Sequence, residues 1–319
     1  MGRTIDELGE FGVIADVIAR LPQTTAVLVG PGDDAAVLAL ADPRVIVTTD
    51  MVIEHRHFRR EWSSPYDVGR KAAARSISDV LAMGGRPTAL VTAIALPSGT
   101  TQQWVTDLVD GMRDECTVVD ACIVGGDFSR ADVVMVTVTA LGAFASGTQP
   151  ITRAGARPGD VVVVAGNLGW AAAGLELLQH GVTQPSVLVE AHRHPSLPYD
   201  AAQALAQLAP NAMCDVSDGL VQDLGHIAEA SNVQIEVGST LLPIDPALVQ
   251  AAAVLGHEPV TWALTGGDDY ALVACLPAES AIPASCTQIG VVAAGTGVFV
   301  DGRPYVAPGG HDHFRQWAG

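Results

Sequence analysis

The hydrophobic positions of this chain repeat on two periods. Between residues 10 and 21, Phe11, Ile14, Val17, Ile18 and Leu21 recur every three or four places, which predicts an amphipathic helix. Residues 26–29, 36–40 and 44–49 are short apolar runs bounded by Gly, Pro or Asp, and these read as strands. Helical spacing returns over 65–83 and stops at Gly84-Gly85. A strand over 89–96, a helix over 101–115 and strands over 122–124 and 133–144 follow. A cluster of Gly147, Pro150, Gly155, Pro158 and Gly159 then marks a boundary. Beyond it the pattern predicts strands at 161–165, 213–215, 233–237, 270–275, 288–292 and 298–300. Helices are predicted over 170–180, 199–208, 220–231 and 246–255. The expected fold is α+β in two domains, residues 1–147 and 148–319, each a mixed β-sheet with helices packed on one side.

One local design recurs along this pattern: an apolar run ends in Gly, Ser or Thr, followed by aspartate. It is present at Gly32-Asp33-Asp34, Thr48-Thr49-Asp50, Gly125-Gly126-Asp127, Asp215-Val216-Ser217-Asp218-Gly219 and Gly266-Gly267-Asp268-Asp269, and as Ser78-Asp79 within a helix. Mg²⁺ takes hard oxygen ligands and shares one or two carboxylates with substrate phosphates. Aspartates at strand ends would project together at one rim of a sheet, with glycines admitting a phosphate to the backbone. Each instance alone also reads as ordinary turn chemistry. Asp215 to Gly219 reads too as a helix N-cap, although a cap needs one such residue and not three. Gly166-Asn167-Leu168-Gly169 reads either as an anion-accepting helix N-terminus or as close helix–strand packing.

Charge sharpens this reading. The formal net charge is −18 over 319 residues, and Lys71 is the only lysine. Such a field disfavours nucleic acid and anionic membrane as partners. Phosphate charge would have to be met by metal ions and a few arginines. No P-loop, GxGxxG after the first strand, HExxH or GxSxG elbow is present. Nor does any apolar run reach the ~20 residues a bilayer requires, and the first residues carry no apolar signal segment, so a cytoplasmic protein is expected. The five cysteines are widely spaced without a CxxC pair and are expected to be reduced core residues. Lys71 is expected to be a solvated helix residue or a structural ion pair.

Taken in order, Gly9-Glu10-Phe11-Gly12, Gly32-Asp33-Asp34-Ala35, Thr48-Thr49-Asp50, His57-Phe58, Ser76-Ile77-Ser78-Asp79, Ala82-Met83-Gly84-Gly85, Gly125-Gly126-Asp127, Arg153-Ala154-Gly155, Asp215-Val216-Ser217-Asp218-Gly219-Leu220, Gly266-Gly267-Asp268-Asp269-Tyr270 and Asp312-His313-Phe314 make a collinear pattern over nearly the whole chain. That pattern resembles the thiamine-monophosphate kinase family, within the aminoimidazole-ribonucleotide-synthetase-like superfamily. The resemblance implies a homodimer whose N-domain strands form a shared barrel. It implies transfer of the ATP γ-phosphoryl group to thiamine monophosphate, with several Mg²⁺ ions. The N-terminal domain would bind metal and ATP and dimerise, and the C-terminal domain would complete the nucleotide and substrate site. By position, Asp34, Thr48, Thr49, Asp50, Asp79, Asp127, Asp215 and Asp218 would hold metal. Gly126, Asp127, Arg153 and Ser217 would contact ATP, and His57, Asp268 and His311 would meet the substrate. The chain departs from the family pattern in having Asp268 where Glu is usual, His311 where an aromatic is usual, and Val119 near the place of a nucleotide-associated Tyr.

Phosphoryl transfer needs positioning and charge neutralisation more than a protein nucleophile. The expected reaction is therefore direct in-line attack by the acceptor's phosphate oxygen, without a phospho-enzyme. Among superfamily alternatives, a hydrogenase-maturation protein would end in a reactive cysteine, whereas this chain ends Gln316-Trp317-Ala318-Gly319. Selenophosphate synthetase would carry Cys or selenocysteine in its N-terminal segment, and the first cysteine here is Cys116. Aminoimidazole-ribonucleotide synthetase lacks the closing triplet. A hydrolase, or a catalytically silent sensor of nucleotide or thiamine phosphate, would be a different class of function.

Overall fold

The computed structural model describes residues 3–31, 35–40, 42–306 and 310, and for residues 5, 6, 9, 10 and 11 it describes the backbone. Asp34 and His311 therefore lie outside the described residues. The chain divides into two compact units, Met1–Leu81 with Gly85–Gln149, and Ala82–Gly84 with Pro150–Gly319. Among the described residues, no helix is long and apolar enough to cross a membrane.

The first unit opens with helix α1 (Ile5–Ile18), which starts earlier than its apolar spacing predicts. The reason is a capping box. Thr4 Oγ1 accepts the Glu7 N–H at 3.3 Å, and Glu7 Oε2 accepts the Thr4 N–H at 3.0 Å. Strands β1 (Val27–Val29) and β2 (Val37–Leu38) form an antiparallel pair. The main sheet contains β3 (Ile46–Ile53), β4 (Arg86–Leu96), β5 (Cys122–Arg130) and β6 (Met135–Ala143) in the order β3-β6-β4-β5. The β3–β6 and β6–β4 pairs are antiparallel and β4–β5 is parallel, so the sheet is mixed.

Helix α2 (Pro65–Ala82) lies on one sheet face, where Ser76 Oγ donates to the Val138 carbonyl of β6 at 2.9 Å. It packs on α3 (Gln102–Val118) at two glycines. A Cβ on Gly69 would sit 1.9 Å from the Leu108 carbonyl oxygen, and one on Gly111 would sit 2.1 Å from that of Tyr66. Only glycine permits this approach of two helix backbones.

The second unit is built on a seven-stranded sheet of order β13-β12-β9-β11-β7-β10-β8. One side of it is β7 (Val161–Ala165), β10 (Ala271–Leu276) and the edge strand β8 (Ala212–Val216), antiparallel neighbours with β10 between the others. Every residue of β8 and β10 is buried, and β10 accordingly reads as a continuous apolar run, whereas β8 carries the buried Asp215 among its apolar residues. Strands β9 (Gln234–Val237), β11 (Cys286–Ala293), β12 (Gly297–Val300) and β13 (Arg303–Pro304) complete the sheet. Helix α7 (Leu220–Ser231) places Leu220, Val221, Leu224 and Ile227 in one core with Val162, Val164, Cys214 and Val273. Around the sheet run α4 (Trp170–Gln179), α5 (Ser186–Arg193), α6 (Tyr199–Gln207), α8 (Pro246–Leu255) and α9 (Pro259–Thr265). Sequence periodicity does not pick out α5 and α9, which are only two turns long.

Cys116, Cys122, Cys214 and Cys275 are buried, Cys286 is half-buried, and none forms a disulfide. Lys71 is not a solvated residue. Its side chain is buried in α2, and Nζ donates to the His57 carbonyl at 3.1 Å.

Candidate phosphoryl-transfer site

The expectation that the aspartates end their strands is corrected in the first unit. Asp50 lies inside β3 and Asp127 inside β5. Register puts Asp50 in one row with Val138, Thr92 and Gly126. Asp127 falls in the next row, with Ala93, Thr137 and Met51. Adjacent rows point to opposite faces of a pleated sheet, so the rim of carboxylates inferred from turn chemistry does not form here.

The same alternation divides the Thr48-Thr49-Asp50 triplet. Thr48 and Asp50 face α2, where Thr48 Oγ1 donates to Asp79 Oδ2 at 2.5 Å. Ser76 Oγ lies 3.4 Å from Asp50 Oδ2, and an Arg75 guanidinium nitrogen lies 3.7 Å from Asp50 Oδ1. Thr49 is turned to the other face. Its hydroxyl is bonded to the Val138 carbonyl and to Thr139 Oγ1, at 3.3 and 3.1 Å. Asp127 is exposed, with Ser129 Oγ at 3.5 Å. At Gly126 a Cβ would meet the Thr92 carbonyl oxygen at 2.4 Å, which explains the glycine without any ligand.

His57 is half-buried in a tight turn. Its Nδ1 accepts the Ile53 N–H at 3.0 Å, so the proton of the neutral ring is on Nε2. The substrate position inferred for this residue is thus held by its own backbone.

In the second unit Asp215 is the buried penultimate residue of β8, and Ser217-Asp218-Gly219 forms the turn into α7. The N-cap reading of Asp215 to Gly219 does not hold for their side chains, since the N-cap residue is Gly219 and the free N–H groups there are met by another residue. Asp223, in the first turn of α7, reaches back so that Oδ2 accepts the N–H groups of Asp218 and Gly219, both at 3.1 Å. Asp223 is buried. Burial, then the charge of Asp218, pushes its carboxyl up to about 7, while those two N–H bonds and the Arg153 charge pull it down. Asp218, Asp223 and His226 bring ligand-capable atoms within 4.8 Å of one another.

The turn into α7 is latched to the loop before β10. Asp268 N–H donates to the Ser217 carbonyl at 2.8 Å, and Tyr270 N–H donates to that of Val216 at 2.9 Å. Asp268 and Tyr270 both have positive φ, 65° and 52°, and the Tyr270 hydroxyl donates to Asp268 Oδ1 at 2.9 Å. The neighbouring Asp269 turns inward to the start of α4, where its carboxylate accepts the N–H groups of Gly169 and, at 2.9 Å, Ala171. The Gly166 to Gly169 segment therefore does lead to an anion-accepting helix N-terminus, and the anion is a side chain of the protein. Burial pushes Asp269 up to about 7 against those donors.

Arg153 is exposed, with its carbonyl held by Ser231 Oγ at 3.0 Å. Asp223 is the residue that sequence reasoning did not single out, and Asp269, named there only as part of its turn, was given no role of its own. Both stand next to a highlighted residue or one turn beyond it, and only burial distinguishes their roles.

Residues 32–144 match the family of the AIR synthase related protein, N-terminal domain, and residues 157–306 match its C-terminal domain. A thiamine-monophosphate kinase of Mycobacterium tuberculosis is 43% identical over 313 residues, 98% of this chain and 93% of the relative. That of Aquifex aeolicus is 36% identical over 315 residues, 97% and 99% of the two chains. A solved structure of AaThiL complexed with AMPPCP and TMP is 33% identical, with a TM-score of 0.79 and coverage of 97% and 98%.

Proposed function

This chain belongs to the thiamine-monophosphate kinase family of the AIR synthase related proteins, and on that premise we propose that it transfers the γ-phosphoryl group of ATP to thiamine monophosphate, giving thiamine diphosphate. The observation that carries this reading is 43% identity to a thiamine-monophosphate kinase along 98% of the chain.

The donor chemistry suits Mg²⁺. Asp50, Asp79 and Asp127 in the first unit and Asp215 and Asp218 in the second offer hard carboxylate oxygens, and the Thr48 hydroxyl already points at Asp79. These residues, with Asp34 and the Thr49 position, would hold the ions. Bound Mg²⁺ would neutralise phosphate charge. Residues 1–147 then serve as the metal, ATP and dimerisation domain, and residues 148–319 complete the nucleotide and substrate site.

The protein's own groups position the reactants. The Arg153 guanidinium can grip a phosphate by two parallel N–H bonds. The Ser217 carbonyl is taken by Asp268 N–H, so the hydroxyl is the group it presents to nucleotide. Gly126 lets a phosphate approach the backbone beside Asp127. His57, Asp268 and His311 form the acceptor end. A phosphate oxygen of thiamine monophosphate attacks the γ-phosphorus in line, a new P–O bond forms, and the bond to the ADP oxygen breaks. The attacking oxygen is already anionic at neutral pH, so no general base is required.

We place the protein in the cytoplasm as a homodimer built on the first unit. The face of β3 turned from α2 is half apolar and open, with Val47 59% and Met51 40% exposed, and Val91 of β4 extends it at 38%. Light scattering at micromolar concentration should give twice the chain mass, and a monomer mass would remove the shared barrel.

The function is tested by measuring ADP release with and without thiamine monophosphate. A kinase releases ADP only with the acceptor, a hydrolase releases it regardless, and a sensor releases none.

A further inference from the structure

Residues 54–62 read Glu-His-Arg-His-Phe-Arg-Arg-Glu-Trp, the densest run of positive charge in an otherwise acidic protein. The turn that carries it is firmly set. His57 Nδ1 accepts the Ile53 N–H, His55 N–H donates to the Phe58 carbonyl at 2.8 Å, and Lys71 Nζ holds the His57 carbonyl. The Phe58 side chain is buried beneath. Arg56 and Arg59 flank His57-Phe58 in sequence, and both are exposed.

Their electrostatic setting differs from that of most arginines in the first unit. In the first unit Arg20, Arg44, Arg60, Arg70, Arg75, Arg86 and Arg113 each have a carboxylate within ion-pair distance. Among the described residues, Arg56 and Arg59 have none. Arg59 is held over the Trp62 ring, 4.7 Å from its centroid, which orders the side chain while leaving the charge unneutralised. Arg60, by contrast, is committed to Glu54 at 2.8 Å and lies over the Trp104 ring.

A chain of net charge −18 repels every phosphorylated substrate at long range, and a local cationic entrance is the physical remedy. We propose that Arg56 and Arg59 form an anion-receiving subsite beside His57 that captures the phosphate monoester of the acceptor. The pair makes the enzyme prefer a phosphorylated acceptor over its free alcohol. The proposal rests on the reading above that His57 lies at the acceptor end.

The test compares Arg56→Glu/Arg59→Glu with Arg56→Lys/Arg59→Lys and the unaltered protein, at fixed Mg²⁺ and two salt concentrations. The screening length falls from about 30 Å at about 0.01 M salt to about 3 Å at 1 M, so the effect must shrink as salt rises. For the Glu pair, KM for thiamine monophosphate should rise about 10-fold or more at low salt, and the gap should close to about threefold at high salt. The loss should fall on that KM and not on kcat, KM for ATP should stay within about twofold, and the Lys pair should behave as wild type. An unchanged acceptor KM at low salt overturns the subsite. A parallel rise in KM for ATP overturns it as well, because the arginines would then serve any polyanion. Among the described residues Arg56 has no ion pair or ring contact to lose, so Arg56→Gln carries the same test if the double variant fails to fold. Calorimetric binding of thiamine monophosphate, measured alongside, keeps two failures apart. An unaltered protein that binds this compound without turning over ATP refutes the kinase reading, whereas equal binding by all variants refutes the arginine pair.

Discussion

The two units hold their aspartates by opposite means. In the first, Asp50 and Asp127 are carried on hydrogen-bonded strands, and Asp79 is carried on a long helix. Their backbones are fixed by the ladder and the helix, and the side chains stay partly exposed. In the second unit Asp218 and Asp268 sit on loops, one of them at positive φ, and the loops are held by two further carboxylates that are themselves buried. A strand needs no help to present a carboxylate. A loop does, and here the help comes from Asp223 and Asp269 bonding to backbone N–H groups.

The contrast can be broken most sharply on the strands. Asp50→Asn and Asp127→Asn should each lower kcat/KM by at least about 100-fold, the scale of losing one charged group that acts on the transferring phosphate. Melting temperature without metal should hold or rise, since no core contact is lost. Near-normal activity of either variant at saturating Mg²⁺ would remove that residue from the metal set.

On the loop side the prediction reverses, and stability should fall together with activity. Asp269→Ala deprives the start of α4 of its acceptor and should cost about 1–3 kcal/mol in denaturant unfolding. The loop carrying Asp268 would lose its anchor in the same step. Wild-type stability with lost activity would mean that Asp269 acts on substrate and not on the fold.

The buried loop carboxylate also carries a pH signature. Asp269 is pushed up from 3.8 to about 7, so between those values the folded chain holds a proton that the unfolded chain releases. Its contribution to stability is therefore full below about pH 4 and is lost as pH rises through about 7. The fall in melting temperature between pH 5 and pH 8 should be smaller in Asp269→Asn than in the unaltered protein. Equal falls would refute the assignment.

The smallest expected effect concerns Thr48→Val, which keeps the β-branched shape and removes the hydroxyl donated to Asp79. The Mg²⁺ concentration for half-maximal rate should shift about 2- to 10-fold, the worth of a single hydrogen bond. No shift would leave Asp79 independent of β3.

What the sequence made legible follows the same division. Strand β7 and helices α7 and α8 are read to the residue because each is bounded by turn or capping residues: Asp160 and Gly166, Gly219 and Asn232, Asp245 and Gly256. Asp50 and Asp127 read as strand-end residues because Thr-Asp and Gly-Asp mark turns locally. Nothing local reveals that cross-strand pairing continues through them. Asp223 looks like any polar residue in a helix, and Asp269 like the second acid of its turn, since burial is a tertiary property. Lys71 shows the same limit from the other side, as a charge that reads as surface and is found in the core.

That burial has a practical corollary. The only lysine of the chain is 1% exposed, so the folded protein presents essentially no primary amine besides its own α-amino group. Amine-directed dyes, crosslinkers and acylating agents should leave its surface almost unmarked while the fold holds. Modification of the Lys71 side chain then becomes a direct chemical clock for the opening of α2.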